Sequence, residues 1–208
     1  MRHKGGGEGR VSERVRSYFD GRAAGYREAF SRGLLGAVRK RERRLLFALL
    51  DPQAGDSVLD AGSGPGLDAD RLRALGCRVK AVDLSPNMVR EAQRAGIDAE
   101  VADLHGLALG TVFDKILCAG SLEFCASPST VLARLADHLR PGGRLVVLFP
   151  LRSVVGVLYR SYHRLSGARA RLFGASEIEA ELERVGLRVR ERERATPFSA
   201  VVAAEKPP

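Results

Sequence analysis

An apolar run entering a turn with three glycines in five residues constrains this chain more than any other segment: Ser57-Val58-Leu59-Asp60-Ala61 leads into Gly62-Ser63-Gly64-Pro65-Gly66. Such a run reads as a buried strand, and the turn after it as a tight loop that opens a helix. Helical residues over 67–75 stop at Gly76, and 78–83 alternates polar with apolar as a second strand. Ser85 and Pro86 then supply an N-cap and a first helical position, and that helix ends at Gly96. Further strands are predicted over 98–102 and 113–119. A helix capped by Ser127 and Pro128 turns Val131, Leu132, Leu135 and Leu139 inward, and Pro141-Gly142-Gly143 ends it and launches a strand over 144–149. Strands alternating with helices predict an α/β, doubly wound, mostly parallel sheet with right-handed crossovers.

The flanks have a different grammar. Residues 1–10 are polar and glycine-rich, with no apolar stretch of the kind a secretory signal carries, and are expected to be a disordered lead-in. Residues 11–50 read as a helical cap, closed by Pro52 and Gly55. After the last parallel strand, 151–173 carries Val154, Val155, Leu158, Tyr162 and Leu165 at helical spacing beside Arg160, Arg164, Arg169 and Arg171, which fits either a packed surface helix or a lid over an acceptor. Ser176 and Glu179 are spaced as a capping box before Ile178, Leu182 and Val185, with Gly186 as the stop. Two closing strands over 187–194 and 198–204, with a turn at Pro197, are expected to form an antiparallel edge. The whole of 11–208 is expected to be one domain.

Composition bounds the function classes. A chain of 208 residues can bury roughly 70% of its unfolded surface, so neither metal nor disulfide is needed for stability. Cys77, Cys118 and Cys125 lack the C-x-x-C spacing of zinc or redox sites and read as free thiols in a reducing cytoplasm; no metal site is expected. The apolar runs fall far short of the ~20 residues that span a bilayer. Net charge is +9, almost all from arginine, which names no partner by itself.

The chemistry gathers at the carboxyl ends of the strands, where open α/β sheets bind ligands. At Gly62 and Gly64 a side chain would keep a flat ligand from the backbone. Asp83, at the end of the second strand, is placed to accept hydrogen bonds from ribose hydroxyls. The dinucleotide fingerprint is G-x-G-x-x-G, but Leu67 occupies the final glycine position and Pro65 removes an N–H that a pyrophosphate would use, so a ligand without phosphates fits better.

These residues resemble class I S-adenosylmethionine-dependent methyltransferases. Val58 through Gly66 looks like the first motif of that family, Val82-Asp83-Leu84-Ser85-Pro86-Asn87-Met88 its second, Ala102-Asp103-Leu104 its third, and Leu139-Arg140-Pro141-Gly142-Gly143 the run before strand five. The resemblance implies that S-adenosylmethionine is the cofactor. It also implies that Asp60, Ala61, Gly62, Ser63 and Gly64 surround the methionine part, Asp83 holds the ribose, and Leu84 and Met88 pack on adenine. Asp103, between Ala102 and Leu104, would take the adenine amine, and Cys118, Ala119 and Gly120 would line the sulfonium. Tyr18-Phe19-Asp20 with Tyr26 is similar to the N-terminal helix of small-molecule members, including quinone C-methylating and magnesium-protoporphyrin types, which folds over the cofactor.

The expected reaction is O- or C-methylation of a small apolar or aromatic acceptor. Because the sulfonium already carries an activated methyl, alignment supplies much of the barrier reduction and a base adds only ~10²–10⁴-fold. Candidate bases are His163, Tyr159 and Tyr26, with Glu123 and His105 behind them. A nucleic-acid acceptor is not expected, since Cys118-Ala119-Gly120-Ser121-Leu122-Glu123 stands where base-modifying enzymes carry an Asn/Asp-Pro-Pro-aromatic run. A non-catalytic cofactor-binding module is the other alternative. Peripheral contact with an anionic membrane surface is compatible with the arginines of 151–173, and the sequence sets no oligomeric state.

Overall fold

The computed structural model describes residues 5–29 and 33–208. Three helices open the chain, α1 (Gly5–Asp20), α2 (Ala23–Ala29) and α3 (Gly33–Leu50). Residues 30–32 of the expected cap and 1–4 of the expected lead-in lie outside the described residues. From Gly5 the chain is helical, where disorder to residue 10 was expected. The reason is tertiary, because Val15 and Tyr18 on the same helix are buried against Phe124, Ala168 and Ala170 and propagate it backward.

Strands and helices then alternate: β1 (Ser57–Ala61), α4 (Leu67–Ala74), β2 (Arg78–Asp83), α5 (Pro86–Arg94), β3 (Asp98–Val101), β4 (Phe113–Ala119), α6 (Pro128–Asp137) and β5 (Leu139–Pro150). After α7 (Val154–Leu165) and α8 (Ala175–Arg184) come β6 (Arg188–Thr196) and β7 (Ser199–Glu205). The seven strands lie in the order β3-β2-β1-β4-β5-β7-β6, with β7 antiparallel to both its neighbours and the other pairings parallel. The order reverses between β1 and β4. Their carboxyl ends therefore diverge around a crevice there.

Side-chain alternation divides the core. Leu59, Ile116, Cys118, Leu145 and Val147 face α6 and α8, where Leu132, Leu135, Ile178 and Leu182 are fully buried. Val58, Leu117, Val146, Val201 and Ala203 face Leu46, Leu49 and Leu50 of α3. Each such leucine contributes roughly 1.5–3 kcal/mol on burial. At the edge, β6 presents Arg188, Arg190, Glu191, Arg192 and Glu193 to solvent, which discourages pairing with another chain.

Two local expectations are corrected. Leu139 already pairs with Phe113 in the sheet, so Pro141-Gly142-Gly143 does not precede the strand but bulges out of it, between the pairs Phe113 with Leu139 and Lys115 with Arg144. Gly142 has φ +72, and its N–H reaches Lys206 O at 2.9 Å. The Ser176–Glu179 capping box is replaced by half of one two residues earlier, in which the Glu177 carboxylate accepts from the N–H of Gly174, the actual N-cap, at 3.2 Å. The chain is brought there by Phe173, whose N–H bonds Pro150 O at 2.9 Å.

Candidate functional site

The turn after β1 is held open by its glycines in different ways. Gly62 has φ +74, and a Cβ there would stand 2.4 Å from Ser121 Cβ; its N–H and that of Ser63 donate to Val82 O. Gly64 has φ +54, but a Cβ there would meet only Met88 Sδ at 4.0 Å, so this glycine keeps open space rather than avoiding a protein atom. Its N–H donates to Asp83 Oδ2 at 2.8 Å, and the Ser85 N–H donates to Oδ1 at 2.8 Å. Asp83 is thus anchored through both oxygens. Burial raises its pKa against those two bonds.

Asp60 differs. It is 2% exposed, its Oδ2 has no hydrogen-bond partner, and burial, reinforced by Asp68, pushes its pKa well above the usual range against the Ala69 N–H. A buried carboxylate in this condition calls for a cation or donor from outside the chain. At the end of β3, Asp103 accepts from Ser12 Oγ at 2.8 Å and from His105 Nδ1 at 2.6 Å. The His105 bond is the largest reason that its pKa is lowered. His105 Nε2 takes the Ser127 N–H at 3.2 Å, which fixes the proton of a neutral ring on Nδ1.

These groups line one cleft of about 1040 Å³, its open mouth included. Asp60, Gly62, Ser63, Gly64, Asp83, Leu84, Met88, Asp103, Leu104, Ala119 and Gly120 all lie along it. Ala61 and Cys118, both fully buried, and Ala102 do not line it; Ala61 instead accepts from Ser121 Oγ at 3.2 Å. Ser12, Arg39, Arg43, Asp68, Ser121 and Phe124 join the wall without any signal in the sequence that marks them. Arg43 is paired with Asp68, and Asp68 with Asp70 fills the first turn of α4. That helix start is therefore already supplied with negative charge, and the acid-rich cleft suits a ligand with cationic centres better than one with phosphates.

A second cavity, about 1870 Å³ with its mouth, adjoins the first. Phe19, Tyr26, Arg39, Gly120 and Phe124 wall both. Val155, Leu158, Tyr159, Tyr162 and His163 of α7 line it, so the segment expected as packed helix or lid covers this space. Arg160, Arg164, Arg169 and Arg171 are exposed and do not line it; among the described residues the cationic side chains on its wall are Arg22 and Arg39. Tyr18 is on this side too and not on the first cleft, because neighbouring positions on a helix point about 100° apart and Phe19 takes the shared wall.

The three leading base candidates, His163, Tyr159 and Tyr26, all line the second cavity. Tyr18 Oη lies 2.8 Å from His163 Nδ1, and burial, with Arg22 and Arg39, pushes the histidine down to about 4. Burial raises Tyr159 well above its ordinary value and raises Tyr26. Both are neutral hydrogen-bonding groups near pH 7. Glu123 lines the cavity beside Tyr159, whereas His105 belongs to the first cleft.

Comparison with known proteins places the geometry. A family model described as a methyltransferase domain matches residues 32–192. Over 101 residues the chain is 35% identical to a ubiquinone biosynthesis O-methyltransferase of Xanthomonas oryzae pv. oryzae (strain PXO99A), covering 44% of this chain and 42% of the relative. The chain thus spans under half the length of the curated relatives it matches. Among solved structures, magnesium protoporphyrin IX methyltransferase of Synechocystis PCC 6803 with bound S-adenosylhomocysteine superposes with a TM-score of 0.75 at 21% identity, covering 92% of this chain and 98% of that one. The 1,6-didemethyltoxoflavin-N1-methyltransferase of Burkholderia thailandensis superposes with a TM-score of 0.74 at 23% identity, covering 100% and 94%.

Proposed function

Since the chain belongs to the methyltransferase-domain family, we propose that it transfers the methyl group of S-adenosylmethionine to a small apolar or aromatic metabolite seated in the second cavity. The observation that carries this reading is the junction of the two cavities at Gly120, with the acidic cleft on one side and the aromatic space on the other. The cofactor supplies an activated methyl on sulfur. The orphan Asp60 Oδ2 would receive its ammonium group, the anchored Asp83 carboxylate its ribose hydroxyls, and Met88 and Leu84 its adenine. The surplus of carboxylates in the cleft favours a positively charged ligand.

Binding of a small acceptor is supported by the relatives' names and by the apolar wall of the second cavity. The outer side of α7 supports approach from an anionic membrane surface: Val154 and Leu165 are 82% and 90% exposed beside exposed Arg160, Arg164 and Arg169. Apolar side chains flanked by arginines suit the lipid interface.

Calorimetric titration with S-adenosylmethionine and S-adenosylhomocysteine tests the donor, and transfer of labelled methyl to an acceptor panel of phenols, quinols and tetrapyrroles tests the rest. Both nucleosides should bind. Tight NADH binding with no response to either would overturn the proposal.

A further inference from the structure

Glu123 stands on a short 3-10 turn, Leu122–Phe124, just beyond the Gly120 wall that both cavities share. It is 3% exposed. The Tyr159 hydroxyl donates to its Oε1 at 3.0 Å, while Oε2 is buried with no hydrogen-bond partner. A buried carboxylate oxygen left so bears the full desolvation penalty of its charge, unless something from outside the chain donates to it.

We propose that Glu123 is the catalytic base, and that the acceptor accordingly presents a neutral protic nucleophile, a phenolic or enolic O–H or a ring N–H, to its Oε2. The inference rests on the methyl-transfer reading above and deepens it. The other candidates are spent on the protein: His163 Nδ1 on Tyr18, and both nitrogens of His105 on Asp103 and Ser127. Tyr159 and Tyr26 carry protons that burial makes harder to lose. Burial pushes Glu123 up to about 7, which makes it a stronger base than His163 at about 4 and one matched to neutral pH.

In the step, Glu123 takes the acceptor's proton as the freed lone pair of oxygen or nitrogen bonds to the methyl carbon. The carbon–sulfur bond breaks and sulfur keeps its electron pair, so a cation and a carboxylate become two neutral groups, and the proton leaves Glu123 to solvent after product. Tyr159 holds the carboxylate in place. An acceptor whose nucleophile is itself a carboxylate would meet like charge at Oε2. The groups acting on the Glu123 carboxyl are its own backbone N–H, Tyr159 of α7, Arg39 and Glu42 of α3, Tyr26 of α2, Cys118 at β4 and Cys125 after the turn.

The test compares wild type with E123Q. Infrared difference titration of the protein without added ligand should show a protonated-carboxyl band, absent from E123Q, that disappears with a midpoint near 7. A midpoint in the ordinary carboxylate range overturns the proposal. With S-adenosylhomocysteine present, 4-nitrophenol in its neutral form should bind E123Q about tenfold or more weakly than wild type, whereas 4-nitrobenzoate should bind E123Q equally or better. Equal affinity of 4-nitrophenol for the two proteins, or a parallel loss for both probes, makes Glu123 structural and overturns the assignment. S-adenosylhomocysteine itself should bind both proteins alike; its failure to bind either overturns the donor reading on which this one stands.

Discussion

The Tyr18 hydroxyl and His163 Nδ1 lie 2.8 Å apart across 145 residues of chain, joining the helix that covers the first cleft to the helix that roofs the second cavity. Tyr18→Phe removes this clasp and keeps the ring packing against Phe124. A hydrogen bond of this kind contributes about 0.5–1.5 kcal/mol net, so S-adenosylhomocysteine should dissociate roughly two- to tenfold faster, measured by stopped-flow displacement. An unchanged rate would show that the two covers move independently.

Asp83→Ala should weaken S-adenosylmethionine and S-adenosylhomocysteine by about 1.5–3 kcal/mol, the loss expected for hydrogen bonds to a charged group. Because Asp83 also anchors the N–H groups of Gly64 and Ser85, the unliganded variant should melt at a lower temperature as well. Calorimetry gives the first effect and a thermal melt the second.

Gly64→Val and Gly62→Val should fail differently. At Gly64 the added side chain enters open cleft, so affinity for S-adenosylhomocysteine should be abolished while circular dichroism stays native, with a few degrees lost to the positive φ. At Gly62 it collides with Ser121, and the far-ultraviolet spectrum itself should collapse. Normal binding by Gly64→Val would remove the turn from the site.

Glu123 has a stability signature separable from catalysis. Burial holds it at about 7 against an ordinary 4.5, so between these values the folded protein keeps a proton that the unfolded chain has released, and stability falls as pH rises through that window. The loss is about 3 kcal/mol at 1.36 kcal/mol per pKa unit. Relative to wild type, Glu123→Gln should therefore gain about that much between pH 4.5 and 7.5 in urea titrations. A difference that does not vary with pH would mean the carboxyl is not buried as described.

Much of the first cleft was legible because strand ends and glycine turns are local: Asp60, Gly62, Gly64 and Asp83 follow from runs of five or six residues, and Asp103 from the resemblance of Ala102-Asp103-Leu104 to a family motif. Arg39, Ser121 and Phe124 were not, since a helix laid across the sheet brings the first to the wall and a single 3-10 turn the others, and nothing in their neighbours encodes that approach. Tyr18 illustrates the limit of resemblance, which located the covering helix but not which of two adjacent rings would line the first cleft. The start of β5 and the N-cap of α8 were displaced by tertiary hydrogen bonds, Phe113 N to His138 O and Phe173 N to Pro150 O, that local propensity does not contain.

The outer side of α7 can be examined without an acceptor. Val154→Asp with Leu165→Asp places two charges on side chains 82% and 90% exposed, so folding should be unaffected, and flotation with vesicles rich in phosphatidylglycerol should drop severalfold. Equal flotation of wild type and variant, or none, would leave the helix as a roof only.

Because α1 contributes Ser12 to one wall and Tyr18 to the other, the two chambers share a door. On the methyl-transfer proposal, an acceptor seated against Tyr18 and His163 should slow exchange from the cleft beneath, so product-inhibition kinetics should show a compulsory order, with donor first in and its demethylated remnant last out.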